Sequence, residues 1–312
     1  MDRRLFIKAG VSAAAFVSFA GMTAGFSRRA EAATAEFNLL ASPVDYQLSG
    51  LNPPVTIPMW QWVDITNPGP PLSTVLRVLA GDTVVINVTN ALAVDINLVI
   101  PGLIDNAPPC APGANITYTF TAPTTPGSYV FRDGQNGYVG SAMGLAGGLV
   151  VMPADGSMNL QGGVAYNRDH TLILGEVDSR LNAAIATGGS YNIQNYEPNF
   201  FFVNGRVYIR DVSKVELQMA MGENVAFRLI NTGLIYYPMH FHGYHVSVIT
   251  RGAAPEPLVR DKDTVMVQPG ETVEAILNVN QPGLYPLHTH YLPGVTNNGV
   301  YAGGGLIIMN AA

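Results

Sequence analysis

Cysteine is all but missing from this chain. Cys110 stands alone among 312 residues, so no internal disulfide can form and the fold must hold by burial. Charge is scarce too: charged residues make up 12% of the sequence against 48% hydrophobic, and the formal net charge is −6. A chain of this sign and density lacks the basic face that nucleic acid requires, so nucleic acid is not expected as a partner. The 11 methionines form no Met-rich segment. Histidine is rare as well, with 6 in all, and none lies before His170.

One long apolar stretch, Ala9 to Phe26, follows Asp2-Arg3-Arg4-Leu5-Phe6-Ile7-Lys8 and precedes Arg28-Arg29 and Ala30-Glu31-Ala32. A basic start, a short Gly-containing apolar run and an A-x-A site predict a cleaved signal peptide over residues 1–32, not a membrane anchor. The paired arginines ahead of Leu-Phe-Ile-Lys resemble a twin-arginine export signal. That route implies a protein folded before export and a periplasmic location, with no membrane span in the mature chain. The segment carries five basic and two acidic residues, so the mature protein is near −9.

What the chain has in quantity is glycine, 33, and proline, 22, set among runs of Val, Thr and Tyr. This predicts short strands and tight turns. The second half repeats the first in order and spacing. Met221-Gly222-Glu223 echoes Ala80-Gly81-Asp82, Pro269-Gly270 echoes Pro112-Gly113, Pro282-Gly283-Leu284-Tyr285 echoes Pro126-Gly127-Ser128-Tyr129, and Ala302–Met309 echoes Ala146–Met152. The expected fold is all-β: a domain over 33–155, a Gly-rich linker over 156–168 and a second domain over 169–312. Each copy has enough strands for a sandwich or Greek-key barrel. Trp60 and Trp62, in alternation, are expected to pack on a sheet.

Five histidines fall in two stretches, Pro238-Met239-His240-Phe241-His242-Gly243 with His245 beyond, and Pro286-Leu287-His288-Thr289-His290. On a strand, alternate side chains share a face. His240 with His242, and His288 with His290, would each point one way, and neighbouring strands would gather four imidazoles. Imidazole suits copper, zinc, iron or nickel. His245, three residues past His242, is expected on the opposite face. His170 is expected to pack, Cys110 to be a buried thiol, and Arg132-Asp133 to form a local ion pair. In the repeat, Val99-Ile100-Pro101 and Arg132-Asp133-Gly134 stand where the histidine pairs stand, so the site belongs to the second domain.

With Val203-Asn204-Gly205-Arg206, Arg228-Leu229-Ile230-Asn231, Asp263-Thr264-Val265 and Pro269-Gly270-Glu271 in the same order, the chain resembles the multicopper oxidases and the two-domain copper nitrite reductases. The resemblance implies two tandem cupredoxin-like Greek-key β-barrels. It also implies where this sequence departs from the pattern. The family's type 1, electron-transfer copper takes a cysteine where Thr289 stands and a histidine near Tyr236 and Tyr237. The further histidine is absent around Pro293-Gly294, and Val300 stands at the axial methionine. A blue site needs that thiolate, so none is expected. His240, His242, His288 and His290 match half of the family's eight-histidine oxygen-reducing cluster.

The resemblance implies a trimer in which a neighbouring first domain faces the copper. That domain would bring Asn97, Asp133 or Gln135 and no histidine. The expectation is a copper-dependent oxidoreductase with a histidine-only, type 2 or type 3-like centre, supplied with electrons directly by a small-molecule donor. The flanking Tyr237, Tyr244 and Tyr291 could hydrogen-bond a ligand or a water or simply pack. Zinc would accept the same imidazoles and is the less expected metal. The alternatives are a non-catalytic copper-handling protein and an envelope scaffold derived from a copper oxidase.

Overall fold

The computed structural model describes residues 32–256 and 260–312. The signal-peptide reading lies almost wholly outside the described residues. Among those residues, no helix is long and apolar enough to cross a membrane.

Alternation builds the strands. Val84, Ile86 and Val88 of Thr83–Asn90 are buried while the residues between them face outward, the period of a half-covered strand. The first half pairs Val55–Asp64, Thr34–Leu48, Thr83–Asn90 and Asn115–Thr121 in one sheet and Val75–Leu79, Ala146–Met152 and Gly127–Arg132 in another. The second half does the same with more strands. Its first sheet runs Phe200–Val203, Arg168–Val177, Asn224–Asn231, Thr272–Asn278, Ser247–Arg251, Ala254–Pro255. Its second runs Val215–Met219, Ile307–Ala311, Gly283–Thr289, Tyr237–Phe241, Thr264–Val267. Each half closes on its own apolar core, giving two cupredoxin-like sandwiches in tandem.

The repeat extends to hydrogen bonds. Asn90 Nδ2 donates to the carbonyls of Val94 and Cys110, and Asn231 Nδ2 donates to those of Ile235 and Val267. Gly113 and Gly270 both take left-handed φ, 73° and 72°, and donate to the carbonyls of Asn90 and Asn231. The bridge Val99↔Arg132 in the first half is matched by His240↔His288 in the second.

The halves pack sheet against sheet. Val130 and Val150 meet Ile173 and Ile230. Gly148 makes this approach possible, since a Cβ there would lie 2.6 Å from Ile230 Cδ1. Beside this apolar patch lies a polar group. Arg228 and Glu274, both 0% exposed, form an ion pair; Ser128 Oγ donates to Glu274 at 2.6 Å, and Arg77 pairs with Asp169 at 2.8 Å. The 156–168 segment does more than span the halves. It forms a short hairpin, Asn159–Leu160 on Val164–Ala165, whose Leu160 and Tyr166 bury against Ala226.

Candidate metal centre

The strand Tyr237–Phe241 turns Tyr237, Met239 and Phe241 into the core and His240 outward. It stops at Phe241 because Gly243, with φ 73°, reverses the chain; a Cβ there would lie 2.4 Å from the Tyr285 ring. His242 therefore stands in the turn, and His290 stands just past the strand Gly283–Thr289. Each pair straddles a strand end instead of lying within a strand.

The ladder Met239↔Thr289, His240↔His288, Phe241↔Leu287 brings the two pairs side by side. Ring centroids lie 4.6 Å apart for His240 and His242, 4.5 Å for His240 and His290, 5.0 Å for His242 and His288, and 5.4 Å for His288 and His290. Two rings are tethered through Nδ1. That of His240 lies 3.1 Å from the Asp263 carbonyl and 3.0 Å from Thr264 Oγ1, with the Asp263 carboxylate at 3.8 Å. That of His288 lies 3.0 Å from the Thr289 carbonyl. Carbonyls only accept, so both Nδ1 atoms carry the proton and both Nε2 atoms present lone pairs, a tautomer assigned from the hydrogen-bond network. His242 Nε2 lies 2.9 Å from His288 Nε2 and is then the donor between them.

Metal-binding imidazoles have one nitrogen fixed by an oxygen and the lone pair of the other turned to the metal; His240 has this arrangement, and His288 would have it with the His242 ring turned away from its Nε2. Burial lowers the pKa of His242 and His288, and the neighbouring imidazoles lower it further. Both are neutral at pH 7, the form that binds metal. Among the described residues no three such side chains are closed around a common point. His242 and His290 are exposed, so rotation of these two rings is what a bound ion would require. The donor set fits a borderline cation such as copper, with solvent-facing positions left open.

His245 lies outside any strand, exposed, in a cleft of about 340 Å³ lined by Tyr244, Asp261, Asn278 and Asn280. The turn at Gly243, not strand alternation, takes it away from the other histidines. His170 packs on Phe227 with Nε2 3.1 Å from the Gln218 carbonyl. Cys110 is buried, its Sγ 3.4 Å from the Ala114 carbonyl. Asp133 does not pair with Arg132 as expected. It is buried and accepts from the backbone of Asn97, Gln135 and Asn136, while Arg132 faces out.

Where the family pattern has its thiolate, Thr289 is 1% exposed and accepts from the Tyr291 N–H at 3.1 Å. Tyr237, also buried, donates its hydroxyl to Glu176 Oε2 at 2.7 Å. Glu176 Oε1 accepts from Tyr196 at 3.1 Å and from the backbone of Leu234 and Ile235 at 2.6 and 3.2 Å. Sequence reasoning passed over Glu176, although a lone acid in the apolar run Leu172-Ile173-Leu174-Gly175-Glu176-Val177 is itself a sign of a buried, partnered carboxylate.

Two multicopper oxidase family profiles match the chain, over residues 60–156 and 185–303. Multicopper oxidase MmcO of Mycobacterium tuberculosis is 27% identical over 120 residues, 38% of this chain. Laccase-13 of Arabidopsis thaliana is 28% identical over 235 residues, 69% of this chain. The chain spans only 22% and 40% of those two proteins. In fold it is similar to a blue copper oxidase from Nitrosomonas europaea, with a TM-score of 0.73, 20% identity, and coverage of 90% of this chain and 86% of that one. A copper nitrite reductase from Nitrosomonas europaea gives 0.69 at 19% identity, covering 89% and 94%. Both halves are matched, in order and by the same family, and the chain belongs to the multicopper oxidases.

Proposed function

We propose that the protein is a copper-dependent oxidoreductase whose metal sits on His240, His242, His288 and His290, a histidine-only centre with no type 1 copper. Membership of the family implies copper as the cofactor. The observation that carries the reading is the meeting of four imidazoles on one sheet face, two of them held by their Nδ1 atoms with the lone pair on Nε2, that of His288 now facing His242. Copper bound there supplies one-electron and Lewis-acid chemistry. His240 and His288 fix its position, and the exposed His242 and His290 leave room for a small-molecule electron donor. Thr289 offers no thiolate for an internal relay.

The proposal includes a homotrimer. In the first half, the sheet of Val75–Leu79, Ala146–Met152 and Gly127–Arg132 is covered by the second half. The equivalent sheet of the second half carries the histidines, and beside them Met266 and Leu284 are exposed, with Pro238, Pro286 and Ile308 on the same face. Covering it with the first half of another copy repeats the internal packing head to tail, and such contacts close into rings. Twin-arginine export to the periplasm with copper already loaded completes the reading.

The test is metal content and an EPR spectrum of protein exported by its own leader, beside the His288→Ala variant. One copper per chain with a type 2 spectrum and no blue band, lost in the variant, is expected. Absence of copper from both proteins defeats the proposal and leaves the scaffold reading. Copper without turnover of any phenolic or small-molecule donor leaves a copper-handling protein.

A further inference from the structure

The molecule solves the problem of a buried phenol in two ways. Half-buried Tyr46 donates to the Gly205 carbonyl at 2.6 Å, and buried Tyr118 donates to the Pro108 carbonyl at 2.8 Å. A backbone oxygen satisfies the hydroxyl at no cost in buried charge. Tyr237 instead meets Glu176, a carboxylate 2% exposed whose partners are two phenols and two backbone N–H groups, all neutral donors. Burying an acid without a cation is expensive, so this arrangement is the one that packing alone would not select.

The cradle is also built around the acid. The loop through Gly233 closes over Glu176 so tightly that a Cβ at Gly233 would fall 1.9 Å from Oε2. The pair is coupled to the histidines by a short covalent and hydrogen-bonded path. Tyr237 is joined to Pro238, whose carbonyl accepts from the His290 N–H at 2.8 Å. His240 follows three residues on, on the opposite side of the same strand.

We infer that Tyr237 and Glu176 form a redox-active pair, in which the phenol supplies one electron toward the histidine site and the carboxylate takes the phenolic proton. The inference rests on the copper reading for its electron acceptor. Copper(I), if held by His240, His242, His288 and His290, would supply one electron to hydrogen peroxide and Tyr237 the other. The peroxide O–O bond would break, two protons from solvent would complete two waters, and the copper would end as copper(II). The Tyr237 O–H bond is lost to leave a neutral phenoxyl radical, and Glu176 becomes a carboxylic acid. Burial, with Glu176 beside it, holds the Tyr237 phenol well above the ordinary tyrosine range, so the proton stays in place until the electron leaves.

Two arms test this. Copper-loaded protein is mixed with hydrogen peroxide, frozen rapidly and examined by EPR, with ring-deuterated tyrosine to identify a phenoxyl signal. The signal is expected in the wild type and in Tyr196→Phe, and lost in Tyr237→Phe, with thermal melts verifying that both variants fold. In the second arm, copper-free protein is exposed to a photogenerated one-electron oxidant, and the Tyr237 radical is expected in the wild type but diminished in Glu176→Gln. An undiminished signal in Tyr237→Phe overturns the inference, as does its loss in Tyr196→Phe instead. If the chain binds no copper the proposed function fails, and the copper-free arm still decides the pair: no radical dependent on Tyr237 overturns it.

Discussion

The two halves of this molecule share a backbone plan and differ in chemistry at the same few places. Val99 and Arg132 bridge in the first half where His240 and His288 bridge in the second. Asp133 is the buried polar residue where Thr289 lies in the other copy, and it spends its carboxylate on backbone N–H groups of its own loop and of Asn97. Asn90 and Asn231, by contrast, make the same bonds in both halves. What is common holds the sandwich together, and what differs faces outward or fills the end of the barrel. The candidate site in this duplicated fold therefore rests on a few substituted positions on a shared strand plan, the general case for sites carried on folds.

The comparison breaks most severely at the contact between the halves. Glu274→Ala removes the nearer of the two carboxylates that hold the buried Arg228 guanidinium, leaving Asp169 at 3.1 Å; removal of one member of a buried pair costs roughly 3–5 kcal/mol, and the remaining carboxylate puts this loss at the lower end. Chemical denaturation is expected to show the whole chain shifted, because Arg228 and Glu274 sit where the halves meet. Gly148→Ala comes next. The added methyl meets Ile230 and Ile173, and overpacking of this kind costs roughly 1–3 kcal/mol, read from the same denaturation curve.

Grafting sharpens the comparison in the other direction. Val99→His with Arg132→His places two imidazoles on the first half's equivalent bridge. A second copper, bound more weakly than the first, is expected by titration calorimetry; retention of a single copper would mean that the bridge geometry alone is not enough. The smallest effect is with pH. All six histidines lie in the second half, and burial lowers the pKa of His170, His242 and His288. Below pH 6.5 the unfolded chain binds protons that the folded chain refuses, so stability is fully present above the unfolded value and is lost as pH falls through the folded ones. Metal-free protein is expected to melt at lower temperature at pH 5 than at pH 7.5, and His170→Gln is expected to flatten that difference.

Much of this was legible in the sequence because it is local. Turn glycines, proline breaks and alternating apolar residues are set by nearest neighbours, so the repeat could be aligned and the histidine pairs matched to Val99 and Arg132. The strand end at Phe241 was less visible, since the reversal at Gly243 is fixed by the ring of Tyr285 far along the chain. The hairpin in the 156–168 segment depends on Ala226 for its cover. Glu176 was missed for the same reason. Its partners Tyr196, Leu234 and Tyr237 lie 20 to 61 residues away, and no spacing rule links them.

The tight closure of Gly233 over Glu176 has a bearing on ancestry. With the carboxylate in place, no side chain is admissible at position 233, and with a side chain at 233 the carboxylate cannot enter. The two positions form an epistatic lock: the glycine had to precede or accompany the acid, and reversal must undo the acid first.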